Sequence, residues 1–480
     1  PALVVIAIAI IGIIIWQVLP QKEPDAVQTD KSSIAVLPFE DLSVHKDQEI
    51  LCEGMTDEII VKLTSLQGWK VINRNSAMQY KNADKDIKKI GQELDVAAVL
   101  LGTVQKEEEN IRVYAQLVNA DDRSILWSDT YNQKKEKILD IQSSIAEKIA
   151  RALQRKLSPE EKEGLERKPT ENLEAYNLYM QGRFFWNKRT PESMKKAVKY
   201  FEQAIEKDPT YALAYTGLAD AYSTLFGWEV LPPLEALPKA KTAAIKAIEI
   251  DDTLAEAHTS LATIKECYDW DWLGAEAEFK RALELNSNYA VARYWYAQFL
   301  AETGRFDEAI TEIERAQELD PLSLIIGSLK GFIFYWAGEY DQGIEQYQKT
   351  LEMYPDFHGA HGYLGLIYLE KGMYGDALKE FKKADSRALI GITYAKMNRM
   401  AEAQRVLDSL IEQSKREYFP KSKIALLLFA LGQNDQGFEW LEKAYEERDG
   451  GFLELKVSPL YDSVRSDPRF KPLLKKTGLE

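Results

Sequence analysis

A periodic pattern in the C-terminal two thirds of the chain constrains its fold more than any other feature. The stretches "YFEQAIEKDPTYALAYTGLADAY", "EFKRALELNSNYAVARYWYAQFL", "EIERAQELDPLSLIIGSLKGFIF" and "QYQKTLEMYPDFHGAHGYLGLIY" align with one another. Their turn position falls at Pro209, Asp252, Ser287, Pro321 and Pro355, and the last three intervals are 35, 34 and 34 residues. Apolar residues recur at helical spacing on both sides of each turn, so the unit is a pair of helices. One pair cannot bury its own apolar faces. Neighbouring pairs must stack, and the stack is a superhelical solenoid.

The stretch "AHGYLGLIYLEKGMYGDALKEFKKA" shows how a unit closes. Small Gly365 and Ala377 allow the two helices to approach, Leu364, Tyr368, Tyr374 and Phe381 fill the space between them, and Gly372 ends the first helix. A 34-residue helix–turn–helix period with Pro in the turn is the tetratricopeptide signature. Residues 171–450 are expected to hold six clear repeats and one or two degenerate ones. "FGWEVLPPLEALP" is an insert in the second, and "IALLLFALGQNDQGFEWLEKAYEER" reads as a last divergent pair. Residues 451–480 remain as a C-terminal tail.

Ahead of the repeats, residues 33–157 alternate between strand and helix patterns. "SIAVLPF" and "WKVINR" read as strands, and "EGMTDEIIVKLTSL" as a helix with Thr56 as its N-cap. "DIKKIGQELD" and "ILDIQSSIAEKIARALQRKL" are further helices. Between them, "AAVLLGTVQKEEENIRVYAQLVNADDRSILWSDTYN" carries alternating runs around charged turns. Together these make a small mixed α/β domain, so the fold class is mainly α. Residues 158–170, within "SPEEKEGLERKPTEN", read as a charged linker.

The first segment, "PALVVIAIAIIGIIIWQVL", has Gln17 as its only strongly polar side chain. About 20 apolar residues span a bilayer's hydrocarbon layer, and Trp16 stands where interfacial aromatics sit. It lacks the basic start and small-residue cleavage site of a signal peptide. Residues 1–19 are therefore expected to be a transmembrane helix and 20–32 a linker. The chain opens on Pro1, so residues upstream of the anchor are expected. The mildly acidic flank "QKEPDAVQTDK" places the bulk of the chain outside the cytoplasm. A net charge of −15 argues against nonspecific binding to nucleic acid or to an anionic membrane surface. Cys52 and Cys267 are too few for a disulfide framework or a metal knuckle.

Both halves resemble a known family. "IAVLPFEDLS", "EGMTDEIIVKL", "VINRNSAMQYK", "IGQELDVAAVLLGTV" and "RVYAQLVNADDRSILWSDTYN" are similar to the TolB-like N-terminal domain of bacterial proteins that continue into tetratricopeptide repeats. "YDWDWLGAEAEFKRALELN" and "LYDSVRSDPRFKPLLKKTGL" also look typical of that combination. The resemblance implies the sensory or partner-binding half of a membrane signalling protein. In such proteins a winged-helix, nucleotide cyclase or Ser/Thr kinase domain precedes the membrane segment. It supplies no catalytic residue to carry over.

Candidate chemistry is sparse. The acids and rings of Asp269–Trp270–Asp271–Trp272 could suggest carbohydrate chemistry, but repeat alignment puts them in the turn of a helix pair. Asp271 is expected to cap the second helix, with the tryptophans packing on adjacent repeats. His358 and His361 form H-x-x-H without a third ligand nearby, so no metal site is expected. Asn73 to Ser76, "NRNS", reads as a loop whose side chains cap the following turn. No phosphate-binding glycine loop or nucleophile elbow is present, and neither catalysis nor a cofactor is expected.

The best functional surface is the groove lined by the first helices of each pair. Tyr179, Arg183, Tyr215, Asp220, Tyr294, Gln298, Ser328 and Phe332 are its expected solvent-side residues, suited to a protein or peptide ligand. The Lys/Asn pattern that clamps a C-terminal carboxylate in chaperone-binding relatives of the repeat is missing.

Overall fold

A computed structural model describes residues 32–83, 85–107 and 110–480. The anchor expected at residues 1–19 lies outside the described residues. Among those described, no helix is long and apolar enough to cross a membrane.

The N-terminal domain runs β1 (Ser33–Val36), β2 (Glu40–Asp41), α1 (Glu49–Thr64), β3 (Lys70–Val71), α2 (Arg74–Met78) and α3 (Ile87–Leu94). It continues with β4 (Ala98–Glu107), β5 (Asn110–Asn119), β6 (Ile125–Lys134) and α4 (Ile138–Ala152). The sheet order is β3-β1-β4-β5-β6, with β2 also against β4. β1 is parallel to β3 and β4, whereas β4, β5 and β6 form an antiparallel meander. β1 is buried along its whole length, as expected of a strand paired on both sides and covered by helices.

Thr56 departs from its expected role. α1 begins at Glu49, about two turns earlier, so Thr56 lies inside the helix. Its hydroxyl donates to the Cys52 carbonyl at 2.9 Å and accepts from the Phe39 N–H at 3.0 Å. A Thr–Asp–Glu run suits a helix start, but a threonine can also bond back to its own helix, and here tertiary contacts select that use.

The charged stretch after this domain is no free linker. It forms α5 (Pro159–Glu166), with Ser158 and Glu161 in a reciprocal capping box. Lys62 Nζ donates to the Leu165 and Arg167 carbonyls at 2.9 and 3.1 Å. The domain core also passes into the first repeat: Tyr176 and Met180 join Met55, Ile59, Leu63 and Ile145 in one buried cluster.

Eight helix pairs follow. The first four are α6 (Leu173–Asn187) with α7 (Pro191–Lys207), α8 (Ala212–Gly227) with α9 (Pro233–Ile250), α10 (Ala255–Ile264) with α11 (Trp272–Leu285), and α12 (Ala290–Glu302) with α13 (Phe306–Leu319). The others are α14 (Leu324–Trp336) with α15 (Tyr340–Met353), α16 (His358–Glu370) with α17 (Tyr374–Lys383), α18 (Arg387–Lys396) with α19 (Met400–Ser414), and α20 (Lys421–Ala430) with α21 (Asn434–Glu446). The tail makes two 3₁₀ turns and ends in α22 (Phe470–Lys476). Close approach within a pair is built from small residues facing large ones. A Cβ on Gly365 would stand 2.6 Å from the Phe381 ring, so the glycine makes room for that ring.

Candidate functional site

The concave face is bordered by other parts of the chain on both sides. On one side the α/β domain and its connector rest on four successive inter-repeat turns. Thr170 Oγ1 donates to Asp208 at 2.5 Å, Arg167 pairs with Asp251 at 3.0 Å, and Asn288 Nδ2 donates to the Leu66 carbonyl at 3.3 Å. At the fourth turn Asp320 accepts from the Ser76 N–H at 2.9 Å, the Ser76 hydroxyl at 2.5 Å and Asn75 Nδ2 at 3.0 Å. The Ser76 hydroxyl oxygen in turn accepts from the Leu322 N–H. Asn73 does cap α2, accepting weakly from the Asn75 N–H. Its neighbours thus have a second use, which sequence reasoning missed.

On the other side the solenoid has turned far enough for its last pair and tail to meet the second, third and fourth pairs. Lys423 of α20 pairs with Glu229 at 2.5 Å. Trp270 lies 5.1 Å from the Tyr445 ring and 5.8 Å from Phe452, and the Arg448 guanidinium covers it at 3.9 Å. Trp272 Nε1 donates to the Thr477 carbonyl at 2.6 Å. The aspartates of this turn are structural. Asp271 caps α11 by accepting from the Gly274 N–H at 3.0 Å, and Asp269 pairs with Lys241. The expectation that both tryptophans pack on adjacent repeats holds for Trp272, 5.9 Å from Phe299. Trp270 instead reaches across the superhelix to the last pair.

Six of the eight expected groove residues are half-buried. Tyr179 packs 5.1 Å from Tyr211, Arg183 stands 4.0 Å from Asp220, and Asp220 accepts from Ser260 Oγ at 2.5 Å. Tyr294 is edge-on to Trp295 at 4.9 Å, Gln298 donates to Glu302 at 2.9 Å, and Tyr215 is also half-buried. Ser328 and Phe332, expected on the solvent side, are buried. Phe332 packs 4.0 Å from Trp336 and 4.3 Å from Tyr363, while the Ser328 carbonyl accepts from the Tyr347 hydroxyl. α14 is covered along most of its surface, because neighbouring repeats and the tail pack round it.

The deepest polar groups here were not expected from sequence. Glu266 sits in a π-helical turn at the end of α10 and Glu302 ends α12; their exposures are 2% and 1%. Burial pushes the Glu266 carboxyl well up, and the neighbouring Glu302 carboxyl adds to that shift. Glu454 of the tail lies near Glu302, and burial raises it to about 7. Among the described residues Lys423 is the cation that faces Glu454, opposed by Glu302 and Asp449, while Tyr335, Tyr363 and Tyr461 face it with hydroxyls. A carboxyl raised on folding adds stability below its ordinary value near 4.5, and that stability is lost as pH rises through about 7. The tail is therefore expected to be held more firmly at pH 5 than at pH 8, by at most about 3 kcal/mol. Thermal melts across that range check this, and Glu454→Gln should flatten the dependence.

The H-x-x-H pair makes no metal centre. His361 Nδ1 meets Glu380 at 2.5 Å and its Nε2 meets the Pro355 carbonyl at 2.8 Å. His258 repeats this arrangement with Glu278 and the Asp252 carbonyl. Each histidine ties a first helix to the second helix of its pair and to the turn before it. Among the described residues no group of three or more His, Cys, Asp or Glu could hold a metal ion.

These features define a tetratricopeptide-repeat scaffold bearing a small mixed α/β domain. Residues 271–330 and 333–388 match tetratricopeptide repeat families, and residues 30–148 match the HilA/YgeH-like transcriptional regulator, second domain. Putative adenylate cyclase 3 of Rhizobium meliloti is 33% identical over 242 residues, covering 50% of this chain and 41% of that protein. Transcriptional regulator HilA of Salmonella typhimurium is 24% identical over 325 residues, covering 67% of this chain and 57% of that protein. The chain thus spans about half the length of the curated relatives it matches. Among solved structures, a human IFIT1 dimer with m7Gppp-AAAA aligns at TM-score 0.42 and 16% identity, over 64% of this chain and 77% of that one. Pseudomonas aeruginosa PilF aligns at TM-score 0.35 and 19% identity, over 49% of this chain and 98% of that one.

Proposed function

We propose that this chain is the partner-binding, regulatory part of a single-pass membrane signalling protein, with its bulk outside the cytoplasm. A protein or peptide ligand enters the concave face at Tyr179, Arg183, Tyr215, Asp220, Tyr294 and Gln298. One observation carries the reading: the α/β domain and its connector are fastened to four turns that border this face. An occupant that shifts the repeats therefore changes the seat of the α/β domain, and through it the segment leading to residues 1–19. The TolB-like resemblance of that domain and the apolar first segment support the membrane setting. The output is assigned to an effector domain outside these 480 residues. The two curated relatives, one named as a cyclase and one as a transcriptional regulator, favour those two kinds of output.

Site-specific photocrosslinking in cells tests the binding face. Probes at Tyr215 and Gln298 are expected to capture a common partner, and a probe at exposed Lys349 on α15 is not. Equal capture from all three positions, or none from the concave pair, would overturn the assignment. Recovery of the intact chain in the soluble fraction would remove the anchor from it.

A further inference from the structure

Each first helix of the solenoid is followed by one residue in the left-handed region. In four pairs it is glycine: Gly304, Gly338, Gly372 and Gly432, with φ between 72° and 84°. In the others it is Arg189, Glu229, Trp270 or Asn398, with φ between 51° and 58°. Asparagine tolerates this conformation, but Arg, Glu and Trp occupy it at a cost of about 1 kcal/mol. Glu229 and Trp270 each make a contact that accounts for a side chain there: they hold the last helix pair and the tail.

Arg189 is the exception. It makes no ion pair or side-chain hydrogen bond among the described residues, and its guanidinium lies 3.6 Å from the centre of the Trp186 ring. Arg183 covers the same ring at 4.6 Å and reaches Asp220 only at 4.0 Å. The indole N–H of Trp186 and the amide nitrogen of Asn187 are buried without an acceptor. Four donor side chains within about two turns of chain thus lack a full complement of acceptors, in a protein of net charge −15.

We infer that the end of α6 is an anion-recognition subsite, built to take side-chain carboxylates of an acidic peptide segment. This rests on the concave face being the partner-binding surface. A guanidinium fork matches the planar carboxylate with two parallel hydrogen bonds, and the indole and amide N–H groups supply further donors. The surrounding charge selects a monoanion. Asp57, Asp220 and Glu256 face Arg183, and Arg74, which also faces Arg189, is already committed to Glu53 and Asp57 at 2.6 Å. Three guanidiniums, Arg74, Arg183 and Arg189, thus stand among four carboxylates, Glu53, Asp57, Asp220 and Glu256. There is no positive surplus to hold a phosphate dianion, and recognition rests on the Arg189 fork and the two buried donors beside it. The site differs from the Lys/Asn clamp of chaperone-binding repeats in its residues.

Calorimetry on the intact chain tests the inference with an N-acetylated Glu-rich dodecapeptide, its Gln counterpart and inorganic phosphate. The wild type is expected to bind the Glu peptide and not the Gln peptide. Arg189→Gly suits the left-handed turn, so its Tm should match or exceed that of the wild type. Its affinity for the Glu peptide should fall roughly tenfold or more, as for loss of a charge-assisted hydrogen bond. Arg189→Lys should recover only part, because an ammonium has no fork. Failure of the wild type to bind the Glu peptide overturns the inference, as does equal binding by Arg189→Gly. So does tighter binding of phosphate than of the peptide. Partner capture at Gln298 that persists in Arg189→Gly would leave the proposed binding face intact while removing this subsite.

Discussion

Asp320→Ala is expected to release the α/β domain from the solenoid. Asp320 is 1% exposed and accepts three hydrogen bonds from Asn75 and Ser76, across 244 or 245 residues of sequence. Alanine leaves those buried donors unmatched, a loss of about 3 kcal/mol localised at the docking turn. Hydrogen exchange should accelerate at residues 73–80 and 319–324 while the repeat helices keep their protection. Unchanged exchange at both segments would show that docking depends on the other three turns. Burial also raises this carboxyl to about 6, so its contribution favours docking at pH 5 over pH 8. Asp320→Asn, which keeps one acceptor, should be milder than alanine and should remove that pH term.

Trp270→Ala should free the C-terminal tail. The indole is 8% exposed and shares a core with Tyr445, Phe452, Leu455 and Phe470. Truncating a buried tryptophan costs about 3–5 kcal/mol, and here the lost contacts are those that join the third pair to the last pair and the tail. Limited proteolysis should then cut at Lys456 or Arg465 under conditions where the wild type resists. Trp270→Gly separates the two roles of the position. Glycine suits its φ of 56°, so release of the tail in that variant as well would assign the effect to the ring. A tail that stays protected in both variants would mean that Trp272 and the Lys423–Glu229 pair suffice to hold it.

The repeat was legible because its determinants are local. Gly365 against Phe381, or Asp271 against the Gly274 N–H, involves residues within a single repeat, so spacing alone reveals the pairing. The alternating runs of the α/β domain were legible for the same reason. Thr56 was misplaced because a local pattern was compatible with two uses, and only contact with Phe39 selected one. Ser328 and Phe332 were assigned to solvent by repeat alignment, which identifies a helix face but not what a later part of the chain lays over it. Arg189 carried a signal in the sequence, a charged residue at a turn position where other repeats have glycine. That signal becomes interpretable once Glu229 and Trp270 are seen holding the far end of the solenoid.

The sequence by itself determined the helix pairs, their order and the α/β domain ahead of them, because period and apolar spacing act within a few tens of residues. Tertiary structure alone decided that the concave face is bordered by the α/β domain on one side and the tail on the other. It also decided which polar groups lie deep between them. Many of those contacts join residues more than 200 positions apart, such as Asn75 with Asp320 and Trp272 with Thr477, and no local period encodes them. They follow from the accumulated rotation of the stacked pairs, which lays the last pair and the tail against the second, third and fourth pairs.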